Sequence, residues 1–503
     1  MQRTKIFGPP GTGKTTRLLT IMEQELEAGV PPERLAYLTF TVAARQEAKD
    51  RAAKRFGFTQ AQLKWFRTLH SVAYELLGVG QAALVTGDGK AITEFGDLYG
   101  YEFTNGLRFS DEGLPSFGLG KGDRLMAFDH FRRHRMEPWQ QAFKKWVDND
   151  DKFRFEVQRF CEGYEKWKAA DGWVDFTDLL ERGSAPLPCD VVIVDEAQDL
   201  SPLQWKAFWV FAQNAQRVYM GGDDDQAIYE WAGASPEVFL GQAADVVHVL
   251  PKSYRCPRRV TERAQRVIQP VRVRQQKDWQ ARDVDGTVSE TLYIDQVKLP
   301  ETGSVLYLYR NHKYAQDVCQ HLRAEGEPYQ LGHVPSIRAT TAAAIITWED
   351  LRKGKLVETE GLEQVFAHAS MQRISQTSRD RARQLTQDKV TARDLVGTGW
   401  PEKIFTLAWF DVMDRLKDEE FYLRKVVQKY GRAGLRKESR IRLSTIHGVK
   451  GAEADHVVLI TDMSKLVLKG AETDPDAERR VWYVGLTRAR ETLTLVGMDN
   501  MLL

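Results

Sequence analysis

Eight residues near the start of the chain restrict its fold more than any other segment, and they read Gly8-Pro9-Pro10-Gly11-Thr12-Gly13-Lys14-Thr15. They follow the strand-like residues 5–7 and open a helical pattern over residues 14–27. In such a turn, glycines let backbone N–H groups converge on phosphate oxygens, the lysine reaches the outer phosphates, and the threonine hydroxyl binds magnesium. The pattern therefore predicts a site for a nucleoside triphosphate between a strand and a helix.

An acidic pair follows a second apolar segment much later in the chain. The run 191–194 consists of valine and isoleucine and ends in Asp195 and Glu196. Carboxylates at the end of a buried strand can place one group behind a metal ion and the other beside the attacking water. The two segments together predict hydrolysis of the bound triphosphate.

Strand-like and helical segments alternate in two parts of the chain, as in parallel α/β sheets. The predicted strands are 5–7, 35–40, 191–194 and 217–220 in the first part, and 304–309, 442–446, 456–461 and 492–496 in the second. Because 503 residues exceed one hydrophobic core, two to four domains are expected. We predict a first core (1A) at 1–77 and 186–252, an insertion (1B) at 78–185, a second core (2A) at 253–335 and 441–503, and a mainly helical insertion (2B) at 336–440.

Composition excludes several classes of protein. The 71 lysines and arginines nearly balance 70 acidic residues, so no global basic field indicates nucleic acid, although a neutral total can hide a basic groove. The four cysteines are far apart in sequence, which favours reduced thiols over a zinc site or a disulfide framework. No secretory or membrane-spanning run is recognisable, and only seven residues precede Gly8, so we expect a cytoplasmic protein without membrane contact.

Further motifs are spread in order along most of the chain. They are Thr39-Phe40-Thr41, Thr68-Leu69-His70-Ser71, Asp175-Phe176-Thr177-Asp178-Leu179-Leu180, Asp195-Glu196-Ala197-Gln198-Asp199, Gly222-Asp223-Asp224-Asp225-Gln226-Ala227-Ile228-Tyr229-Glu230-Trp231, Ser253-Tyr254-Arg255, Thr445-Ile446-His447-Gly448-Val449-Lys450-Gly451-Ala452-Glu453 and Tyr483-Val484-Gly485-Leu486-Thr487-Arg488-Ala489-Arg490. With the phosphate loop, this set resembles the UvrD/Rep/PcrA group of superfamily 1A helicases. The resemblance implies two RecA-like P-loop NTPase cores, each with an inserted and mainly helical subdomain.

The resemblance also implies a composite site for ATP and Mg²⁺. Arginines projected onto the γ-phosphate from a second core would stabilise charge in the transition state and couple hydrolysis to domain motion. The implied catalytic residues are Lys14, Asp195, Glu196, Gln226, Arg255 and Arg488, with Thr15 and Asp195 at the metal. The implied nucleotide-binding residues are Gly8, Pro9, Pro10, Gly11, Thr12, Gly13, Lys14, Thr15, Thr16, Gln198, Tyr254, Arg255, Gly451, Glu453 and Arg488.

Recognition of the base is less complete than recognition of the phosphates. By resemblance, Tyr254 stacks on adenine and Glu453 accepts from the ribose hydroxyl. The family also has a glutamine that reads adenine well upstream of the phosphate loop, and here Gln2 is a doubtful substitute. Strict preference for ATP is therefore left open.

Single-stranded DNA is the polymer that the resemblance implies. Such strands are usually held by aromatic stacking and by contacts to phosphates. The matching positions are Phe40, Thr41, Thr68, His70, Tyr229, Trp231, Thr445 and His447. The chain departs from the family pattern at Val42, where asparagine is usual, and at Ala232, where arginine is usual.

Other conspicuous residues have simpler interpretations. The basic cluster 132–135 could contact duplex DNA, but we expect a charged helix surface. Residues 432–442 suit a linker into the second core, with DNA contact as the alternative. Trp139, Trp146, Trp167 and Trp173 are expected to pack a small domain, and neither His70 nor His447 has partners at metal-ligand spacing.

The sequence thus predicts an ATP-dependent 3′ to 5′ helicase and translocase on single-stranded DNA and on junctions with duplex, in DNA replication, repair or recombination. The direction comes from the resemblance alone. One alternative is a translocase that removes bound proteins without unwinding, since the second insertion is short for the family. The other is an ATP-dependent DNA-binding or loading module.

Overall fold

The computed structural model describes residues 1–39, 42–85, 90–104, 108–109, 115–116, 120–146 and 151–497. Its contacts divide the chain into two compact units. Unit 1 contains Met1–Gly286 and Ser464–Arg488, and unit 2 contains Thr287–Met463 and the last strand. The contacts thus group residues 253–286 and 464–488 with the first sheet, while the four-part division expected from the sequence stays a prediction.

Unit 1 is built on a six-stranded parallel sheet in the order β3-β2-β6-β7-β1-β8. Its strands are β1 Gln2–Phe7, β2 Leu35–Thr39, β3 Phe66–Thr68, β6 Val191–Val194, β7 Arg217–Gly222 and β8 Val246–Val249; outside this sheet lie the short pairs β4 Arg108–Phe109 with β5 Pro115–Ser116 and β9 Lys252–Pro257 with β10 Gln280–Arg282. Every residue of β2 and β6 is buried, as expected for strands with helices on both faces. The carboxyl ends of β1, β6 and β7 lie together, since Phe7 pairs with Gly222 and Val194 with Met220.

Thirteen helices complete unit 1 within the described residues. They are α1 Lys14–Glu27, α2 Val42–Phe56, α3 Leu69–Leu77, α4 Lys90–Tyr99, α5 Lys121–His134, α6 Trp139–Lys145, α7 Asp151–Asp171, α8 Phe176–Arg182, α9 Pro202–Phe211, α10 Pro236–Gly241, α11 Arg258–Ile268, α19 Lys465–Thr473 and α20 Pro475–Leu486. Helices α4 to α7 share an aromatic core of their own, in which Trp167 is buried and Trp139, Trp146 and Trp173 pack against it. The prediction that these four tryptophans pack a small helical region is confirmed.

Unit 2 contains a seven-stranded sheet in the order β11-β19-β18-β12-β17-β13-β14. Its strands are β11 Thr287–Thr291, β12 Val305–Tyr309, β13 Tyr329–Leu331, β14 Val334–Pro335, β17 Ile441–Thr445, β18 Ala454–Ile460 and β19 Ala489–Val496. All pairs are parallel except β13 with β14. Helix α12 (Ala315–Ala324) covers this sheet, and its Val318 and Leu322 join the buried residues of β12 and β17.

A helical region interrupts the second sheet between β14 and β17. It contains α13 Ala339–Arg352, α14 Gly361–His368, α15 Gln376–Arg383, α16 Ala392–Gly397, α17 Trp409–Val412, α18 Lys417–Tyr430 and the short antiparallel pair β15 Val357–Glu358 and β16 Lys389–Val390. Trp348, Trp400 and Trp409 are buried in its separate core. The prediction of a mainly helical stretch here is confirmed. Within the described residues, no helix is both long and apolar enough to cross a membrane.

The predicted strands are confirmed with small shifts at their ends, and α1 has the predicted bounds. Strands β3 and β8 of the first sheet, like β11, β13 and β14 of the second, are not among the predicted strands. Strand β3 has only three residues, and β8 is a half-exposed edge strand without a continuous buried run. Short edge strands carry too little apolar pattern to be recognised from sequence.

Candidate nucleotide and DNA site

The phosphate loop lies at the carboxyl end of β1 and leads directly into α1. Gly11 and Gly13 have φ of +69° and +80°, values that favour glycine, and Gly13 precedes the helix without any side-chain cap. At Gly8, a Cβ atom would meet Cβ of Lys14 at 2.4 Å. The backbone N–H groups at the start of α1 are therefore available to an anion, and glycine keeps the approach open.

Lys14 joins the loop to the acidic pair after β6. Its Nζ donates to Oε1 of Glu196 at 2.7 Å and lies 3.7 Å from Oδ1 of Asp195. The hydroxyl of Thr15 donates to Oδ2 of Asp195 at 2.7 Å. Glu196 has φ of +54°, a strained value for a residue with a side chain, and such strain tends to persist at functional positions.

Burial governs the charges of this group. Burial alone would lower the pKa of Lys14, but the carboxylates of Glu196 and Asp195 more than offset it and hold that pKa above its usual value. Burial raises the pKa of Asp195 even though Lys14 is close. A second cation at Asp195 would oppose that rise, which is consistent with a metal-binding role.

Two glutamines continue the hydrogen bonds that begin at Lys14 and Glu196 toward the residues after β7. Gln198 donates from Nε2 to Glu196 at 2.6 Å, and its Oε1 accepts from the backbone N–H of Asp223 at 2.9 Å. Gln226 donates from Nε2 to Oδ2 of Asp223 at 2.6 Å, and its Oε1 accepts from Nη2 of Arg488 at 2.9 Å. These bonds connect Lys14 to Arg488, and we call the chain of Lys14, Glu196, Gln198, Asp223, Gln226 and Arg488 the nucleotide network.

Residues 253–255 brace the phosphate loop from β9. Ser253 donates from its hydroxyl to the carbonyl of Pro10 at 2.7 Å, and Tyr254 donates its N–H to the carbonyl of Gly11 at 2.8 Å. A Cβ atom at Gly11 would lie 2.3 Å from Cβ of Arg255, so the close approach also requires glycine. The ring of Tyr254 is 68 % exposed beside the loop, where a base could stack on it.

The two predicted arginines belong to unit 1, as the phosphate loop does. Arg488 is 1 % exposed and donates from Nε to the carbonyl of Val484 at 2.9 Å. Arg255 is half-buried and lies 3.5 Å from the carbonyl of Thr487. The structure thus gathers the predicted phosphate, metal and arginine positions of unit 1 into one region.

The predicted DNA contacts of unit 1 differ in exposure. Trp231 is 44 % exposed, whereas Tyr229 and His70 are buried, and the rings of Tyr229 and Trp231 are 6.4 Å apart. Thr68 is the N-cap of α3 and accepts from the N–H of Ser71. Phe40 and Thr41 lie outside the described residues.

The remaining predicted residues belong to unit 2. Thr445 ends β17 and accepts the N–H of Gly448 at 3.1 Å, and the half-buried His447 begins a short 3-10 helix. Gly451 has φ of +86°, and Glu453 pairs with Arg490 at 3.0 Å. Their roles toward nucleotide and DNA stay predictions.

The expectation of a charged helix surface at 132–135 is wrong for its central residues. Arg133 is 6 % exposed and donates to Asp175 at 2.7 Å and to Asp178 at 2.5 Å. Lys168, 3 % exposed, binds the same two carboxylates at 2.8 Å. Spacing along one helix could not reveal this arrangement, because the acidic partners lie more than forty residues away, at the start of α8. We call these four residues the insertion cluster.

The structure also describes Arg432, in a segment with DNA contact as an alternative, and Gln2, a candidate reader of adenine. Arg432, in the segment expected to be a linker, forms part of a short 3-10 helix and pairs with Asp350 at 2.6 Å. Gln2 is exposed at the amino end of β1, whereas the phosphate loop follows the carboxyl end of that strand, and its role toward adenine stays a prediction.

The residues at the acidic pair suit a magnesium ion. A threonine hydroxyl and a carboxylate are hard oxygen ligands, and Mg²⁺ typically takes one or two protein oxygens together with phosphates and water. Among the residues that the structure describes, no group of three or more histidine, cysteine or acidic side chains could hold a metal. Thr15 and Asp195 would therefore hold Mg²⁺ together with phosphate oxygens and water.

Comparison with known proteins identifies two family domains in the chain. Residues 1–246 match the UvrD/REP helicase N-terminal domain, and residues 413–500 match the UvrD-like helicase C-terminal domain. The chain is 25 % identical over 368 residues to a putative ATP-dependent DNA helicase, YjcD, of Bacillus subtilis, a match covering 64 % of this chain and 46 % of that protein.

Two further relatives are similar in kind. Identity to ATP-dependent DNA helicase UvrD2 of Mycobacterium bovis is 27 % over 394 residues, covering 66 % of this chain and 53 % of the relative. Identity to ATP-dependent DNA helicase Rep of Escherichia coli is 25 % over 284 residues, covering 52 % and 40 %. The chain spans about half the length of the first two of these relatives. With matches to both characteristic domains and the ordered motifs in place, the chain belongs to the UvrD/Rep-like family of superfamily 1A helicases, with two RecA-like cores.

Proposed function

We propose that this protein is an ATP-dependent helicase and translocase that moves 3′ to 5′ along single-stranded DNA. The observation that carries the proposal is the continuity of the nucleotide network with a loop that exposes an aromatic ring. Gln226, bonded to Arg488, lies five residues before the exposed Trp231 in the same loop. The relatives named above are DNA helicases, which supports the choice of polymer.

In this proposal the phosphate loop holds the triphosphate and Lys14 exchanges Glu196 for the outer phosphates. That exchange frees the Glu196 carboxylate to orient and polarise the attacking water. Mg²⁺, held by Thr15 and Asp195 with phosphate oxygens, would neutralise charge on the phosphates. Arg488 and Arg255 stabilise the charge that develops on the transferred group, a contribution worth about 10³-fold or more in rate.

Coupling to DNA follows from the shared loop. Since Gln226 senses the phosphate and Trp231 stacks on a base, a shift of Gln226 on hydrolysis changes the position of the aromatic pair Tyr229 and Trp231. Base stacking on an exposed aromatic ring tolerates any sequence, as a translocase requires. The strand would then advance in steps set by the nucleotide cycle.

The central test is hydrolysis measured with single-stranded DNA, single-stranded RNA and duplex DNA side by side. We expect strong stimulation by single-stranded DNA, abolished in Lys14→Ala, Glu196→Gln and Arg488→Ala. Near-normal turnover in all three variants would show that the site is wrongly assigned. Hydrolysis indifferent to DNA would favour the loading-module alternative.

Direction and mechanical output need separate substrates. Duplexes with a 3′ tail or a 5′ tail test direction, and efficient unwinding only from the 5′ tail would overturn it. Strand displacement should be compared with removal of streptavidin from biotinylated DNA. Streptavidin removal without strand displacement would favour the translocase that clears proteins.

A further inference from the structure

Three consecutive aspartates lie buried directly after β7, and the first of them belongs to the nucleotide network. Asp223, Asp224 and Asp225 are each 0 % exposed. Adjacent buried carboxylates repel one another and lose hydration, so burying them is unfavourable unless cations lie beside them. The cations that contact these three side chains are therefore needed to hold the loop in this conformation.

Lys277 is the central cation. Its side chain is 0 % exposed, and its Nζ lies 2.7 Å from Oδ1 of Asp223 and 3.0 Å from Oδ2 of Asp225, while it also bonds Asp224. Arg274 adds a bidentate contact to Asp225 at 2.8 and 2.6 Å. We call these five residues the aspartate cluster; its three carboxylates face two cations.

One carboxylate links the aspartate cluster to the nucleotide network. Asp223 accepts from Lys277 at Oδ1 and from Nε2 of Gln226 at Oδ2. Because the amide nitrogen of Gln226 is committed to Asp223, its oxygen points to Arg488. The reversed amide would present a nitrogen to the guanidinium and lose that bond, so the acceptor oxygen of Asp223 determines which end of Gln226 faces Arg488.

We propose that Lys277 is a positioning residue for hydrolysis, which holds the Asp223 carboxylate against Gln226 and thereby fixes the amide orientation of Gln226 and its contact with Arg488. This inference rests on the proposed function, because it assumes that Gln226 and Arg488 act on the phosphate. Nothing in the sequence motifs points to it, since Lys277 lies well beyond Arg255 in a segment without a motif. Burial lowers the pKa of Lys277, but the three carboxylates more than compensate and keep it charged.

The test is a cycle of three variants whose effects should not add. In Lys277→Met, Asp223 lacks its ammonium partner, and we expect kcat to fall about tenfold or more with little change in KM for ATP. In Asp223→Asn, the new amide oxygen faces Lys277 and its nitrogen faces the nitrogen of Gln226, so kcat falls by a similar factor. In the double variant the new amide is free to turn its oxygen to Gln226, and we expect kcat above that of either single variant.

Rescue by a conservative substitution separates positioning from packing. Lys277→Arg keeps a cation beside Asp223 and should keep kcat within about threefold of wild type, whereas Lys277→Met lowers kcat with KM for ATP unchanged. Lys168→Met is the matched control, because it removes another buried ammonium from two aspartates and should leave kcat of the folded protein within about threefold of wild type.

The outcomes discriminate between the two proposals. If wild type shows no DNA-stimulated hydrolysis, the proposed function fails. If wild type hydrolyses ATP but the double variant is no more active than either single variant, the role of Lys277 is overturned. Where Lys277→Met does not fold, the comparison of the double variant with Asp223→Asn decides in the same way.

Discussion

The insertion cluster and the aspartate cluster are built from the same parts but end differently. Each places a buried lysine and an arginine against aspartates within unit 1. In the insertion cluster the two carboxylates make structural contacts, because Asp175 and Asp178 also cap the start of α8. In the aspartate cluster, Asp223 has one oxygen left for Gln226.

The contrast shows that burial and a shifted pKa do not identify a functional site. Burial alone would raise the pKa of Asp175, yet Arg133 and Lys168 hold it well below its usual range, with no chemistry nearby. The aspartate cluster differs because its hydrogen bonds continue into the nucleotide network, which reaches the partly exposed Glu196 and Arg488. Substitutions in the two regions should therefore fail in different ways.

The largest effect is expected for Glu196→Gln. The amide cannot accept a proton from water, so DNA-stimulated hydrolysis should fall about 10³-fold, while ATP binding persists. Steady-state hydrolysis and binding of a fluorescent nucleotide measure the two quantities. Glu181→Gln, which removes a carboxylate that contacts Arg133 of the insertion cluster, is the control and should keep at least half the activity. Comparable losses of hydrolysis in both variants would contradict the distinction between the two regions.

Next in size is the stability loss in Arg133→Met. The substitution leaves two buried carboxylates with only Lys168, so the free energy of unfolding should fall by about 3–5 kcal/mol. Urea unfolding followed by tryptophan fluorescence measures it. The folded protein should keep kcat within about threefold of wild type. A stability change below about 1 kcal/mol would mean that the insertion cluster is not a structural anchor.

A smaller effect is expected for Trp231→Ala, in the loop that follows Gln226 of the nucleotide network. Loss of one stacking ring should weaken single-stranded DNA binding by about 1–3 kcal/mol. Fluorescence anisotropy with a labelled oligonucleotide measures the change. Trp209→Ala removes a tryptophan from α9, where it bonds Gln242 and Arg3 lies over its ring, and should leave DNA affinity unchanged. Equal weakening by both would place the DNA elsewhere.

The smallest effect per residue is expected at three buried histidines of unit 1. Burial lowers the pKa of His70 to about 4 and of His130 to about 3, and it also lowers that of His134. Because the unfolded chain binds protons more readily, stability is complete above a pH of about 6.5 and falls as pH drops below it. At pH 5.5 each should cost roughly 1.4 kcal/mol. His130→Gln should reduce the acid sensitivity; unfolding curves at pH 7.5 and 5.5 test this, and an unchanged difference would contradict it.

The fold and the site were most predictable from sequence where contacts are local or where a motif has a fixed mechanism. The phosphate loop, α1 and the buried strands were predictable because their patterns lie within a few residues. Lys277 was not, since its partners lie more than fifty residues away and a lone lysine usually lies on the surface. Arg133 was misjudged for the same reason: neighbouring charges on one helix do not show which of them turns inward.

The strand order has a consequence for synthesis of the chain. Strand β1 is made first, yet both of its neighbours, β7 and β8, come more than two hundred residues later. At about 5–20 residues per second, β1 waits on the order of 10 to 40 s for its first partner on a ribosome. Throughout that interval the backbone of β1 lacks both neighbouring strands, and Ile6 and Phe7 lack part of the core that later buries them, so this end of the sheet is completed only after residue 222 has emerged.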